Sequence, residues 1–151
     1  MPMDKFEPQV SREIQANLER FELEDKPVLI SGRALEYYGI RQPDERYDTD
    51  YDFIVSQKDY ERLKYAYPNN LRDIYGDLGV TVGKWEFWTS FCAFSYDELA
   101  CDAEDAGAYY VVSVPKMLML KVLVMHQEPR RYADVVLIKE WILRNKYPED
   151  Y

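Results

Sequence analysis

Along residues 8–21 the apolar side chains Val10, Ile14, Leu18 and Phe21 recur at intervals of three and four. That spacing draws one stripe down a helix whose other faces are polar, so the segment is predicted as an amphipathic helix packed on a core. The pattern then changes. KPVLIS (26–31) is a short β-branched and leucine run ended by Gly32 and predicts a buried strand, and ALEYYG (34–39) predicts a short helix closed by Gly39. A polar loop, RQPDERYDT (41–49), leads into a second strand, YDFIVS (51–56), and QKDYERLKYAY (57–67) reads as a polar-faced helix stopped by Pro68.

Between residues 72 and 91 two β-like pieces stand out, around 79–82 and in KWEFWTSF (84–91), with Gly76, Gly79 and Gly83 as turn signals. FSYDELACDAEDAG (94–107) predicts a short acidic helix and loop, and AYYVVSV (108–114) a further strand. PKMLMLKVLVMH (115–126) predicts a helix with Pro115 in its first turn, and a last helix covers 131–146. No repeat, linker or low-complexity tract interrupts the chain. The expectation is one α+β domain over residues 1–151, a mixed β-sheet flanked by helices.

Composition narrows the function classes. With 47% hydrophobic residues in 151, 15% of the total being aromatic, a full core is within reach. Lys and Arg number 19 against 28 Asp and Glu, and the net charge of -9 argues against broad, salt-driven nucleic-acid binding by the whole surface. Cys92 and Cys101, with His126 as the one histidine, are too few for a zinc site. The N-terminus, MPMDKFEPQVSREIQ, is acidic and polar where a signal peptide needs a basic start and an apolar stretch, and no run approaches about 18 apolar residues. These features predict a cytoplasmic protein with free thiols and no membrane partner.

The chemistry concentrates in RYDTDYDFIVS (46–56), where Asp48, Asp50 and Asp52 occupy alternate positions at the mouth of an apolar strand. Alternation sends Tyr51, Phe53 and Val55 to one face and Asp50, Asp52 and Ile54 to the other, so two carboxylates project together and repel. A divalent cation would relieve that: hard oxygen ligands suit Mg²⁺, which completes its shell with waters and nucleotide phosphates. The plainer reading is a solvated acidic loop before an edge strand. Ser31 and Gly32, between a strand and a helix, offer backbone N–H groups to a phosphate, or form only a turn. Glu86 lies opposite Trp85 and Phe87 in alternation and either faces the same metal or shares a polar outer face with Lys84. Lys121 leaves an apolar helix face between Met117, Leu118, Val124 and Met125, where an ammonium needs an anion or a route to water. Asp134 shares a face with Leu137, Ile138, Trp141 and Ile142. The two are read either as an ion pair joining two helices or as the walls of a cleft in which Lys121 meets a triphosphate.

Taken in order, LISGRALEYYGI, RYDTDYDFIV, VVSVPKMLMLKVLVM and RRYADVVLIKEW resemble the successive motifs of nucleotidyltransferases with the polymerase β-like fold, closest to the AbiEii-type, toxin-like group. The resemblance covers roughly residues 26–142. Each motif is short; their succession is the specific part. Ser31-Gly32 matches the Gly-Gly or Gly-Ser of the first motif with the order reversed, and Ala34 the small position after it. Asp50 and Asp52 match the Asp-x-Asp, Arg46 the basic residue four before it, and Lys121 and Asp134 the later Lys and Asp. Asp48 departs from the pattern, standing where the family often has Thr, and Glu86 is the candidate for the third strand carboxylate of the wider superfamily.

What the resemblance implies is a Mg²⁺- or Mn²⁺-dependent transfer of an NMP from an NTP to an acceptor hydroxyl, releasing pyrophosphate. Asp50, Asp52 and Glu86 would hold the metal, Ser31, Gly32, Arg46 and Lys121 the nucleotide, and Asp134 would orient Lys121 or act on the acceptor. RNA, a protein and a small molecule stay open as acceptors, with a cognate antitoxin of a toxin-antitoxin system among the implied partners. Arg130, Arg131, Lys139, Arg144 and Lys146 form either a modest basic strip for RNA or a solvated helix face. The alternative is a catalytically silent nucleotidyltransferase-like domain that binds a nucleotide or a protein.

Overall fold

The computed structural model describes residues 9–43 and 50–150. Helix α1 (Gln9–Asn17) continues as a 3-10 turn, Leu18–Phe21, and buries the predicted stripe of Val10, Ile14, Leu18 and Phe21. Strand β1 (Val28–Ile30) turns at Ser31 directly into helix α2 (Ser31–Tyr37), and strand β2 (Tyr51–Ile54) leads to helix α3 (Gln57–Ala66), whose N-cap Ser56 accepts from the Asp59 amide. Strands β3 (Leu71–Ile74), β4 (Asp77–Val82) and β5 (Trp85–Trp88) form an antiparallel meander. A two-stranded hairpin follows, β6 (Ser90–Phe91) and β7 (Phe94–Ser95), then helix α4 (Tyr96–Ala100) with a complete capping box at Ser95 and Glu98. Short strands β8 (Glu104–Asp105) and β9 (Tyr110–Val111) precede helices α5 (Val114–Val124) and α6 (Pro129–Lys146).

The main sheet has the order β3-β4-β5-β2-β1-β9-β8. It is mixed: β2 runs parallel to β5 and β1 parallel to β9, while the other neighbours are antiparallel. The structure is thus α+β, a mixed sheet flanked by helices. Among the described residues no helix is long and apolar enough to cross a membrane.

Strand alternation divides the sheet into two different faces. Tyr51 and Phe53 of β2 lie opposite Trp85 and Phe87 of β5, with Tyr51 stacked on Trp85 at 4.5 Å between ring centroids, and Phe21 covers Phe87 edge-on at 4.7 Å. That face is dry and aromatic, and its burial is the main driving force at this end of the fold. The other face carries Ile30, Asp52 and Glu86 in one cross-strand row, which opens to a cavity under α5 and α6.

Four details differ from the sequence expectation. Strand β3 is added to the sheet edge; all four of its residues are exposed, so burial patterning carried no signal for it. Gly79 sits inside β4, opposite Trp88, where a Cβ would come within 2.4 Å of the indole ring: it is there for close approach, while the turns use Gly76 and Gly83 at positive φ. Ser31 and Gly32 form the first turn of α2 itself. Asp59, on a helix read as polar-faced, is fully buried and accepts the backbone amides of Glu24 and Asp25 at 2.8 and 2.9 Å, pinning the approach to β1.

Candidate functional site

Seven of the eight residues singled out from sequence line one cavity of about 790 Å³: Ser31, Gly32, Asp50, Asp52, Glu86, Lys121 and Asp134. Arg46, like Asp48, lies outside the described residues. The convergence has a simple origin. Parallel pairing of β2 and β5 puts Asp52 directly opposite Glu86, Asp50 stands one residue before β2, and Ile30 pairs with Asp52 so that β1 delivers Ser31 and Gly32 to the same end of the sheet. Ser31 adopts φ +65, the left-handed region that costs a non-glycine residue about 1 kcal/mol or more, and this sharp bend carries the chain from strand into helix at the cavity wall.

The carboxylates act on one another. Burial and the neighbouring charge of Asp52 push the Glu86 carboxyl up to about 8, and Glu86 is within hydrogen-bonding reach of both Asp50 and Asp52. Burial also raises Asp52, opposed by hydrogen bonds from Glu86 and the Trp88 indole and by the positive charge of Lys121. In the metal-free protein at neutral pH the cluster therefore keeps a proton that isolated carboxyls would have lost. A cation placed among these oxygens would replace that proton.

The donor set is three carboxylates without sulfur or imidazole, which fits Mg²⁺ or Mn²⁺ and not a soft metal. Among the described residues no three His, Cys, Asp or Glu side chains stand in an arrangement that could hold a metal ion unaided. Mg²⁺ does not require one: it takes one or two protein carboxylates and fills its shell with waters and substrate phosphates.

Across the cavity the Lys121 ammonium donates to Asp134 Oδ2 at 3.0 Å, so the ion pair anticipated between α5 and α6 is formed. Asp134, 4% exposed, also receives the Arg41 guanidinium, with Nη1 at 2.9 Å from Oδ1 and 3.1 Å from Oδ2. Arg41 had no signal in the sequence: it sits in a polar loop, where an arginine is expected to face solvent.

The sheet's outer strands complete the wall. Arg72 of β3 lies over the Trp88 ring at 5.6 Å, in the row where Gly79 provides no side chain, and both Arg72 and Trp88 line the cavity. At the rim the β6–β7 turn, Cys92 and Ala93, has positive φ at both positions without glycine. Asp77 holds it by accepting from the Ser90 hydroxyl at 2.6 Å and the Cys92 amide at 3.0 Å. Arg130 and Arg131, in the first turn of α6, line the cavity too and each pairs with Glu128 at 3.3 Å, while Lys139, Arg144 and Lys146 are exposed further along. No protein-family model, no curated protein and no solved structure matches this chain.

Proposed function

We propose that the chain is a metal-dependent nucleotidyltransferase of the polymerase β-like fold, AbiEii-like, which moves an NMP from an NTP to an acceptor hydroxyl. The observation that carries this reading is the meeting, in one cavity, of paired strand carboxylates, a strand-to-helix turn at Ser31-Gly32 and the cation Lys121, drawn from well-separated stretches of sequence. From among Asp50, Asp52 and Glu86 would come the one or two carboxylates that Mg²⁺ or Mn²⁺ takes from a protein. When bound, the metal supplies neutralisation of phosphate charge and a lowered pKa for the acceptor hydroxyl.

The chain's own groups supply binding and order. Lys121 meets the negative charge of the triphosphate, the Ser31-Gly32 backbone offers amides to phosphate oxygens, and the half-buried Asp52–Glu86 row keeps the acidic oxygens fixed on a rigid sheet. The sequence resemblance supports the same assignment of roles. A cognate antitoxin is a partner in this reading, and the acceptor class is left to experiment.

A second reading has its own support. Lys121 is engaged by Asp134, as in a purely structural ion pair, and a silent nucleotidyltransferase-like module would look the same. Thermal shift separates the two. On the enzyme reading Mg²⁺ with an NTP raises the melting temperature of the wild type but not of Asp50→Ala or Lys121→Ala. Equal shifts in all three proteins contradict it.

A further inference from the structure

Arg72 lines the cavity without a carboxylate of its own: among the described residues, the contact its guanidinium makes is the Trp88 ring, 5.6 Å away. The acidic neighbours on its hairpin are engaged elsewhere. Asp73 accepts the Gly76 amide at 2.9 Å, and Asp77 holds the β6–β7 turn. The sheet builds the stack. Arg72 pairs with Gly79 and Gly79 with Trp88, and the indole lies across the glycine, where a Cβ would come within 2.4 Å, so that it reaches the arginine on the third strand. A guanidinium laid over an aromatic ring keeps its N–H edge for an oxyanion, and a phosphate fits that fork with two hydrogen bonds.

The strand order relates Arg72 to the proposed reaction. In β3-β4-β5-β2-β1, Ser31 and Gly32 stand on one flank of the Asp52–Glu86 pair and Arg72 on the other, two strands or roughly 10 Å beyond β5. In nucleotidyl transfer the acceptor oxygen bonds to the α-phosphorus as the bond to pyrophosphate breaks in line behind it, and the hydroxyl proton leaves to water. With the leaving phosphates at Ser31-Gly32, the acceptor arrives from the flank of Glu86 and Arg72. We infer that Arg72, stacked on Trp88, is the phosphate-binding residue of an acceptor subsite, and that the acceptor is a nucleotide unit with a phosphate beside its reacting hydroxyl. This rests on the nucleotidyltransferase reading above and deepens it. At the tip of the same hairpin Tyr75 lines the cavity with its side chain fully exposed, offering a face on which a base stacks. The two residues are separated by roughly 10 Å of extended chain, the scale of one nucleotide.

The test titrates the full chain calorimetrically with three kinds of probe: the ribonucleoside 5′-monophosphates, short single-stranded oligoribonucleotides of the same bases, and inorganic tripolyphosphate. The nucleotide titrations are run with tripolyphosphate present, which keeps those probes out of the triphosphate site. Arg72→Ala is expected to weaken nucleotide binding by about tenfold and to leave tripolyphosphate affinity unchanged, whereas Lys121→Ala weakens tripolyphosphate. Tyr75→Ala should weaken the nucleotide probes by about fivefold, and Arg72→Lys, which keeps the charge and loses the planar stack, should fall between wild type and Arg72→Ala. Monophosphates bound as tightly as oligoribonucleotides make the acceptor a free nucleotide, and tighter oligoribonucleotides make it a strand end; both sustain the subsite. Wild type that binds neither nucleotide probe overturns the inference in favour of a protein or another small molecule as acceptor. So does Arg72→Ala that binds nucleotides as wild type does, or that loses tripolyphosphate equally, because Arg72 would then serve the triphosphate. Arg72-dependent nucleotide binding by a wild type that takes no tripolyphosphate sustains the subsite and contradicts the transferase reading, so the two failures are distinguishable.

Discussion

Asp52 and Glu86 stand directly opposite each other on parallel neighbouring strands, in a row whose other face is stacked aromatic rings. Two acidic side chains in that position repel and are partly desolvated. A cation between them would relieve that repulsion.

This relationship gives the metal-free protein a particular pH dependence. Glu86 titrates at about 8 in the fold against an ordinary value of 4.5, so between those pH values the folded state binds more protons than the unfolded chain. Stability from this group is then present at the acidic end and lost as pH rises toward 8. Asp52 is raised as well and acts in the same direction. Carboxyls lowered by partners, such as Asp102 beside Lys116 and Asp105, which accepts from the Gly107 amide and from Lys26, lose their contribution at more acidic pH. Melting curves in EDTA should show Glu86→Gln gaining on the wild type from pH 5 to pH 8, and Mg²⁺ should narrow that gap. A gap that shrinks with rising pH in EDTA contradicts the assignment.

Gly79 makes room for the Trp88 ring, which lines the cavity with Asp52. Gly79→Ala would place a methyl group 2.4 Å from the ring, which must move. The expected cost is about 1–3 kcal/mol in urea unfolding, in line with overpacking of a tight site. Reduced Mg²⁺ response is expected with it, because a displaced Trp88 ring disturbs the surroundings of Asp52.

The trio around Asp134 predicts unequal costs for its two cavity-lining members. Lys121→Ala leaves Asp134 with Arg41 and should cost about 1 kcal/mol of stability while removing nucleotide binding. Asp134→Ala removes the buried anion that Arg41 and Lys121 share and should cost about 3–5 kcal/mol. Chemical denaturation of the two variants measures the difference; equal costs would mean that Arg41 does not neutralise Asp134.

Much of this arrangement was legible in the chain because alternation and helical spacing are local. The stripe of α1, the two faces of β2 and β5 and the apolar surroundings of Lys121 follow from neighbours two to four residues away. Helix ends marked by Pro68 and Pro115 were legible for the same reason. What escaped depends on distant partners. Arg41 gains its role only when α6 brings Asp134 to it, 93 residues later in sequence. Asp59 is buried by the backbone of residues 24 and 25, and Gly79 is explained by Trp88 on the next strand. Strand β3 shows the same limit from the other side: an exposed edge has no alternation to read.

The most direct test of the account is to incubate the protein with each α-labelled NTP and Mg²⁺ in a cell lysate and to ask whether label is transferred to RNA, protein or a small molecule. The account predicts transfer from at least one NTP by the wild type, abolished by EDTA and by Asp52→Asn. Absence of transfer to all three acceptor classes by the folded wild type, or equal transfer by Asp52→Asn, would contradict it.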